Sequence, residues 1–173
     1  PDGGPIEAHT DLVKKLDYEC ELAVVLGRDA RDVPAGQTRD YIFGYTILND
    51  VSARDVQTAH KQWYFGKSLD GFTPIGPCIV TADAFADYPP RLGIRSFVNG
   101  EKRQDSNTAL QIFDIDHVIA ELSQGMTLKA GTIIATGTPA GVGMGMDPPQ
   151  FLKPGDVVRC EIEGIGTLTN PVK

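Results

Sequence analysis

The sequence predicts a β-rich α+β domain with a few short helices. Short apolar runs rich in β-branched residues recur along the chain and end at turn residues. Nineteen Gly and twelve Pro, spread throughout, leave little room for long elements. The strand–helix alternation of a doubly wound parallel sheet is missing.

In chain order, residues 18–26 (YECELAVVL) read as a strand that stops at Gly27. Residues 28–40 hold Pro34 and Gly36 and read as a polar loop, and residues 41–49 (YIFGYTILN) as a second strand. Ser52, with Asp55 three residues on, has the form of a capping box opening a helix over about 53–64. Residues 66–77 (GKSLDGFTPIGP) read as loop and Cys78–Ala82 as a strand. Asn99-Gly100, between Ile94–Val98 and a polar run from Glu101, marks a hairpin, because Asn-Gly suits a type I′ turn. Ile115, Val118, Ile119 and Leu122 fall at helical spacing within 114–124, with Asp114 as N-cap. Gly131–Thr136 is a strand feeding a glycine-rich loop, 137–145, and Val157–Ile162 with Gly166–Asn170 form a closing hairpin.

Composition narrows the function classes. A chain of 173 residues fits one domain. It can bury roughly 70% of its unfolded surface, so it folds without disulfides or a structural metal. A net charge of −7 opposes non-specific nucleic-acid binding, which needs a cationic surface. No apolar run approaches the roughly 20 residues of a membrane span, and residues 1–17 lack a signal-peptide core. Cys20, Cys78 and Cys160 are odd in number and form no CxxC pair, so a reduced, cytoplasmic setting is the simplest account.

The most informative residues are Glu19 and Glu21. In a strand, i and i+2 share a face about 6.5–7 Å apart. Ala23 and Val25 continue that face, and Tyr18, Cys20, Leu22 and Val24 make the other, so the strand is apolar on both sides. Two carboxylates at its start then sit near the interior, where like charges are costly unless a cation joins them. The plain alternative is that the strand end is exposed and both face water. Asp50 ends the second strand and adds a third carboxylate. Three carboxylates on β elements suit a hard cation, although a turn residue or helix cap is the simpler role for Asp50 alone. Asp50, Arg54 and Gln57 recur every three or four positions, so Arg54 and Gln57 stand beside Asp50 if a helix begins there; otherwise they are a solvated face. Lys67 lies in a Gly- and Pro-punctuated segment, where it either meets a substrate carboxylate or is simply solvated. The loop GTPAGVGMG (137–145) lacks GK[ST] and runs into Asp-Pro-Pro, so it is neither a P-loop nor a dinucleotide fingerprint. Its glycines let the backbone pass close to a ligand or turn sharply, and Gly137 and Thr138 stand at that mouth.

Five segments together resemble the fumarylacetoacetate hydrolase superfamily. They are DYECELAVVLGR (17–28), GYTILNDVSARDVQ (44–57), WYFGKSLDGFTPIGP (63–77), MTLKAGTIIATGTPAGVG (126–143) and FLKPGDVVRCEIEGIGTLTNPV (151–172). The resemblance implies a catalytic domain over 17–173 with a rolled, mixed β-sheet fold, usually homodimeric. It implies Glu19, Glu21 and Asp50 as ligands of Mg²⁺ or Mn²⁺, with Ca²⁺ as a further option. It implies Arg54 and Gln57 as polar residues on the substrate side, and Lys67 and Thr138 as holders of a substrate carboxylate. The substrate is then a small 2-keto carboxylate, cleaved at a C–C bond through a metal-stabilised enolate, as in acylpyruvate hydrolases and oxaloacetate decarboxylases. Isomerases of hydroxymuconate-type dienes and 2-keto acid hydratases use the same ligands and stay open, as does a non-catalytic module that binds oxalate-like anions. Trp63, Tyr64 and Phe72 are candidate substrate-pocket residues. Several members carry a His–Glu pair on a lid that activates water. His9, His60 and His117 do not match it, and each reads as structural or surface. Residues 1–16, opening Pro1-Asp2 without Met, are expected to be the remnant of a longer N-terminal region.

Overall fold

The computed structural model describes residues 1–59 and 61–173. Its strands are β1 (Leu16–Asp17), β2 (Cys20–Leu26), β3 (Ile42–Asn49), β4 (Ser52–Ala53), β5 (Ile75–Thr81), β6 (Gly93–Val98), β7 (Glu101–Asn107), β8 (Ile133–Ala135), β9 (Val157–Ile162) and β10 (Gly166–Pro171). Its α-helices are α1 (Arg54–Ala59), α2 (Tyr64–Lys67) and α3 (Ile115–Leu122). One four-stranded sheet runs β5-β3-β2-β8, a second runs β10-β9-β6-β7, and β1 pairs with β4. The named strands pair antiparallel, and the parallel component is a bridge between Ile6 and Val172.

The core lies between the two larger sheets. Cys20, Leu22, Val24 and Leu26 alternate along β2 into it, where they join Ile94, Val98, Val158, Cys160, Ile162 and Leu168 of the facing sheet. Every residue of β2 is buried, so Glu21, Ala23 and Val25 on its other face are covered too. Residues 1–16 pack onto the same body: Ile6, Ala8, Val13 and Leu16 are buried, and Gly3 N–H donates to Thr169 O.

Asn99 and Gly100 both adopt positive φ (52° and 84°) between β6 and β7, the geometry a type I′ hairpin needs. Asp114 caps α3 by accepting from His117 N–H at 2.8 Å. The helix expected over 53–64 is different. Ser52 and Ala53 pair with β1, which draws them into extended backbone, and the helix begins at Arg54. The capping box does not form: Ser52 Oγ donates to Asp50 O, and Asp55 accepts from Lys14 N–H. The loop expected over 66–77 is also shorter. Lys67 closes the single turn of α2, and the strand expected from Cys78 begins at Ile75. Among the described residues no helix is long and apolar enough to cross a membrane.

Candidate active site

The middle of the β5-β3-β2-β8 sheet delivers three carboxylates to one point. Glu21 lies in β2, Glu19 just before it, and Asp50 just after β3. Antiparallel pairing sets Cys20 opposite Asn49, so the entry to β2 and the exit of β3 are neighbours. Asn49 Oδ1 accepts from Glu19 N–H at 3.0 Å, and Asp50 N–H donates to Glu19 O at 2.9 Å, which locks the two segments together. One oxygen from each of Glu19, Glu21 and Asp50 lies within 4.8 Å of the others. Glu19 is 8% and Glu21 3% exposed, which overturns the alternative of a strand end facing water.

Two cations stand against this cluster. Arg54, at the start of α1, reaches Glu19 Oε1 at 2.6 Å and Asp17 Oδ2 at 3.0 Å, and donates to Gln57 Oε1 at 3.2 Å. Lys67 Nζ reaches Glu19 Oε2 at 2.7 Å and Asp50 Oδ2 at 2.6 Å. A close contact between α1 and α2 sets the place of Lys67. At Gly66 a Cβ would lie 2.6 Å from Gln57 N, so only glycine lets α2 sit this near. The cleft holds about 460 Å³ and is lined by the carboxylates with Gln57, Trp63, Lys67 and Thr138.

The glycine-rich loop closes the other side. Gly137 N–H donates to Glu21 Oε2 at 2.8 Å. Asp17, fully buried, accepts from Gly143 N–H at 2.7 Å and Met144 N–H at 2.9 Å, and Tyr18 Oη donates to Gly141 O at 2.8 Å. Thr138 Oγ1 donates to Cys20 O at 3.0 Å. An apolar hollow of about 410 Å³ across this loop shares Gly137 and Thr138 but holds no carboxylate.

Burial drives the electrostatics. Loss of water pushes the Glu21 carboxyl up to about 8, against the help of Gly137 N–H, and Asp50 and Glu19 add repulsion. Burial also raises Asp50, outweighing its bond to Lys67. Burial alone pulls Lys67 down, but its bonds to Asp50 and Glu19 together prevail and hold it above the usual lysine range. With all four acids ionised, Asp17, Glu19, Glu21 and Asp50 against Arg54 and Lys67 would leave two negative charges in the cluster, the same excess of acid that helps to raise Glu21. An all-oxygen donor set with that deficit fits one hard divalent cation.

All of the residues singled out from the sequence as ligands or carboxylate holders line this cleft. Arg54 and Gln57 do share a face, yet Arg54 is spent on Asp17 and Glu19. Of the aromatic residues, Trp63 lines the cleft, Tyr64 is 79% exposed, and Phe72 packs on the core and on His9. His9 bonds to Asp70 O, His117 stacks on Phe113, and His60 lies outside the described residues. Two participants escaped the sequence reading. Asp17 alternates with Glu19 and Glu21, a signal that was present. Gln104, fully buried on β7, reaches Thr138 from the opposite sheet, and nothing local marks it.

Comparison with known proteins agrees with this geometry. The family model described as "Fumarylacetoacetate (FAA) hydrolase C-terminal" matches residues 1–173. Oxaloacetate tautomerase YisK of Bacillus subtilis is 47% identical over 170 residues, 98% of this chain and 56% of that protein. The fumarylacetoacetate hydrolase of Exiguobacterium antarcticum superposes with a TM-score of 0.96 at 52% identity, covering 99% of this chain and 61% of that one. A 2-hydroxyhepta-2,4-diene-1,7-dioate isomerase from Mycobacterium marinum follows at a TM-score of 0.87 and 44% identity, over 99% and 63%. The chain thus spans a little over half the length of the curated relatives it matches. With the β-rich fold, the carboxylate cluster and the full-length family match in agreement, the chain belongs to the fumarylacetoacetate hydrolase family, in its C-terminal domain.

Proposed function

We propose that this domain acts on a 2-keto carboxylate with the help of a divalent cation, Mg²⁺ or Mn²⁺, and that its reaction is the keto–enol tautomerisation of an oxaloacetate-type substrate. The observation that carries the reading is the buried cluster of Glu19, Glu21 and Asp50 with Lys67 lying across two of the three. These carboxylates would hold the cation. When bound, it supplies Lewis-acid stabilisation of the negative charge that grows on the 2-keto oxygen during enolisation. Lys67, kept protonated by its surroundings, holds a substrate carboxylate by charge. Arg54 keeps Glu19 oriented. Trp63 and the glycine-rich loop line the same cleft. Tautomerisation moves one proton between C3 and the 2-oxygen and adds no water, so it asks the cleft for charge stabilisation and a proton carrier. The 47% identity to a protein named as an oxaloacetate tautomerase favours this reaction.

A second reading, C–C cleavage of an acylpyruvate or decarboxylation of oxaloacetate, uses the same enolate. The likeness to the Exiguobacterium hydrolase favours it. Hydrolysis needs in addition a water activated by a general base.

The test follows the ultraviolet absorbance of enol-oxaloacetate and assays pyruvate in parallel, with Mg²⁺ or Mn²⁺ and then with chelator. Faster metal-dependent relaxation of the enol signal without pyruvate supports tautomerisation. Metal-dependent pyruvate from oxaloacetate or an acylpyruvate overturns it in favour of cleavage. Metal and oxalate binding without turnover points to a ligand-binding module. Asp50→Ala is expected to abolish the metal-dependent rate, and full activity in that variant sinks the metal reading. The homodimer implied by family likeness belongs to the same proposal, and light scattering measures it.

A further inference from the structure

Away from the carboxylates, Leu110, Ile112 and Phe113 form a run of exposed apolar side chains between β7 and α3, and Ile112 is 92% exposed. Single exposed hydrophobes are ordinary, but adjoining ones mark a contact surface. The hollow of about 410 Å³ opens among them. All three line it, with buried Ile94 and with Pro139 and Ala140 of the glycine-rich loop. Its polar lining is largely used internally. Gln111 Nε2 donates to Thr136 Oγ1, Thr136 Oγ1 donates to Leu22 O, and Thr108 Oγ1 donates to Pro90 O, each at 2.7 Å. Among the described residues no charged side chain lines the hollow. A charged small molecule finds no counter-ion there, whereas an apolar side chain fits.

Charge selects the occupant. The chain carries −7 overall, so two copies repel except where they meet across an uncharged face. A basic partner gains nothing from this patch and is drawn to the acid elsewhere. The flanking acids are also engaged within the chain: Asp105 with Arg95 at 3.0 Å, and Asp114 with His117 N–H at 2.8 Å. A projecting side chain beside a hollow on one face is self-complementary, because a twofold axis seats each in the other. We propose that a second copy of this chain docks here about a twofold axis, the Ile112 of each copy seated in the hollow of the other. The seat bears on the cleft. Gly137, whose N–H holds Glu21 Oε2, walls both spaces, so a side chain in the hollow backs that loop from the face away from the carboxylates. The inference rests on the homodimer proposed above and names its surface; it holds whichever substrate the cleft takes.

Sedimentation velocity of the whole chain over the micromolar range tests it. The unaltered protein is expected to sediment as a dimer. Ile112→Asp is expected to weaken association about a thousandfold, because a twofold repeats the buried charge on both copies, and so to sediment as a monomer. Ile112 faces solvent in the single chain, so this variant keeps its fold, which circular dichroism checks. Ile112→Leu, still apolar, is expected to remain a dimer. Ile79→Asp alters an exposed apolar residue of β5, far from the hollow's lining, and is expected to leave the dimer intact. Hydrogen exchange gives the second reading: amides over 108–118 and 136–140 are expected to exchange faster in Ile112→Asp than in the unaltered dimer. A dimer that survives Ile112→Asp, or that Ile79→Asp splits instead, overturns this surface and leaves the homodimer standing. A monomer at every concentration overturns both. Unchanged exchange over 136–140 in a monomeric Ile112→Asp overturns the seating in the hollow. The 2-keto acid reading is judged apart from all of these, by the enol assay.

Discussion

Replacing Asp17 by alanine tests how far the site is held together from beneath. Asp17 is fully buried and carries the Arg54 guanidinium at 3.0 Å and two backbone N–H groups of the glycine-rich loop, Gly143 and Met144. Breaking a buried ion pair from one side costs about 3–5 kcal/mol. Arg54 keeps Glu19 and Gln57, so the share lost here is nearer about 2 kcal/mol. Gly143 is buried, and its orphaned N–H adds about 1–2 kcal/mol; Met144 is exposed and adds little, because water replaces the lost partner. The total is about 3–4 kcal/mol. At roughly 2–4 °C per kcal/mol for a chain of this size, Tm falls by about 10 °C. Circular dichroism melts measure this, with a urea titration to check that the midpoint moves while the slope stays constant. Asp17→Asn keeps one acceptor but turns its amide N–H₂ against either Gly143 N–H or the Met144 and Arg54 donors, so its drop is expected to be comparable to that of the alanine variant. A Tm within about 2 °C of the unaltered protein for Asp17→Ala would falsify the claim that this carboxylate anchors loop and arginine together.

Four further expectations concern the cluster and the helix that carries Lys67. A divalent cation at about 100 times its Kd stabilises by about 2.7 kcal/mol, which raises Tm by roughly 5–10 °C. Glu21→Gln has the same shape and keeps an acceptor for Gly137 N–H, so its metal-free Tm is expected to stay put while the metal-induced rise shrinks by half or more; an undiminished rise removes Glu21 from the ligand set. Lys67→Met deletes the positive charge that competes for Glu19 and Asp50 and is expected to tighten metal binding about tenfold while turnover is lost, read by calorimetry and the enol assay. Weaker metal binding in that variant contradicts the competition. Gly66→Ala forces a methyl to within 2.6 Å of Gln57 N, costs about 1–3 kcal/mol, and displaces Lys67; activity should therefore fall further than stability, and a variant that melts early but turns over normally refutes the link between α2 placement and function.

Local pattern carried much of this fold. The alternation of Glu19 and Glu21 in an otherwise apolar run, the Asn99-Gly100 turn and the Asp114 cap are short-range signals, and each appears in the structure as read. What failed depended on distant partners. Ser52 and Ala53 look like a helix start until β1 offers them a ladder. The single turn of α2 is too short to show a helical period, and its reason for existing, the contact of Gly66 with Gln57, is tertiary. Gln104 sits in a polar hairpin strand and would pass for solvent-facing; its partner Cys20 is 84 residues away. Asp17 is the exception, since it continues the alternation of Glu19 and Glu21 by one more step and was legible on the same rule that found them.

The distribution of bonds within the cluster says which group must yield. Both oxygens of Glu19 are engaged, Oε1 by Arg54 and Oε2 by Lys67. Glu21 uses Oε2 on Gly137 N–H, and Asp50 uses Oδ2 on Lys67, so Glu21 Oε1 and Asp50 Oδ1 are the oxygens without a protein partner among the described residues. Arg54 is braced by Asp17, Glu19 and Gln57 on a helix that is itself anchored. Among the described residues Lys67 forms ion pairs with Glu19 and Asp50 alone, and it sits at the end of a one-turn helix on a flexible stem. On the proposed function, Glu19, Glu21 and Asp50 would hold the cation, and of the two basic residues Lys67, not Arg54, is the one that would give way. Lys67 would then stand free to meet a substrate carboxylate at the cleft. Lys67→Met should therefore separate two properties, strengthening the hold of Glu19 and Asp50 on a cation as it removes the hold on a substrate carboxylate.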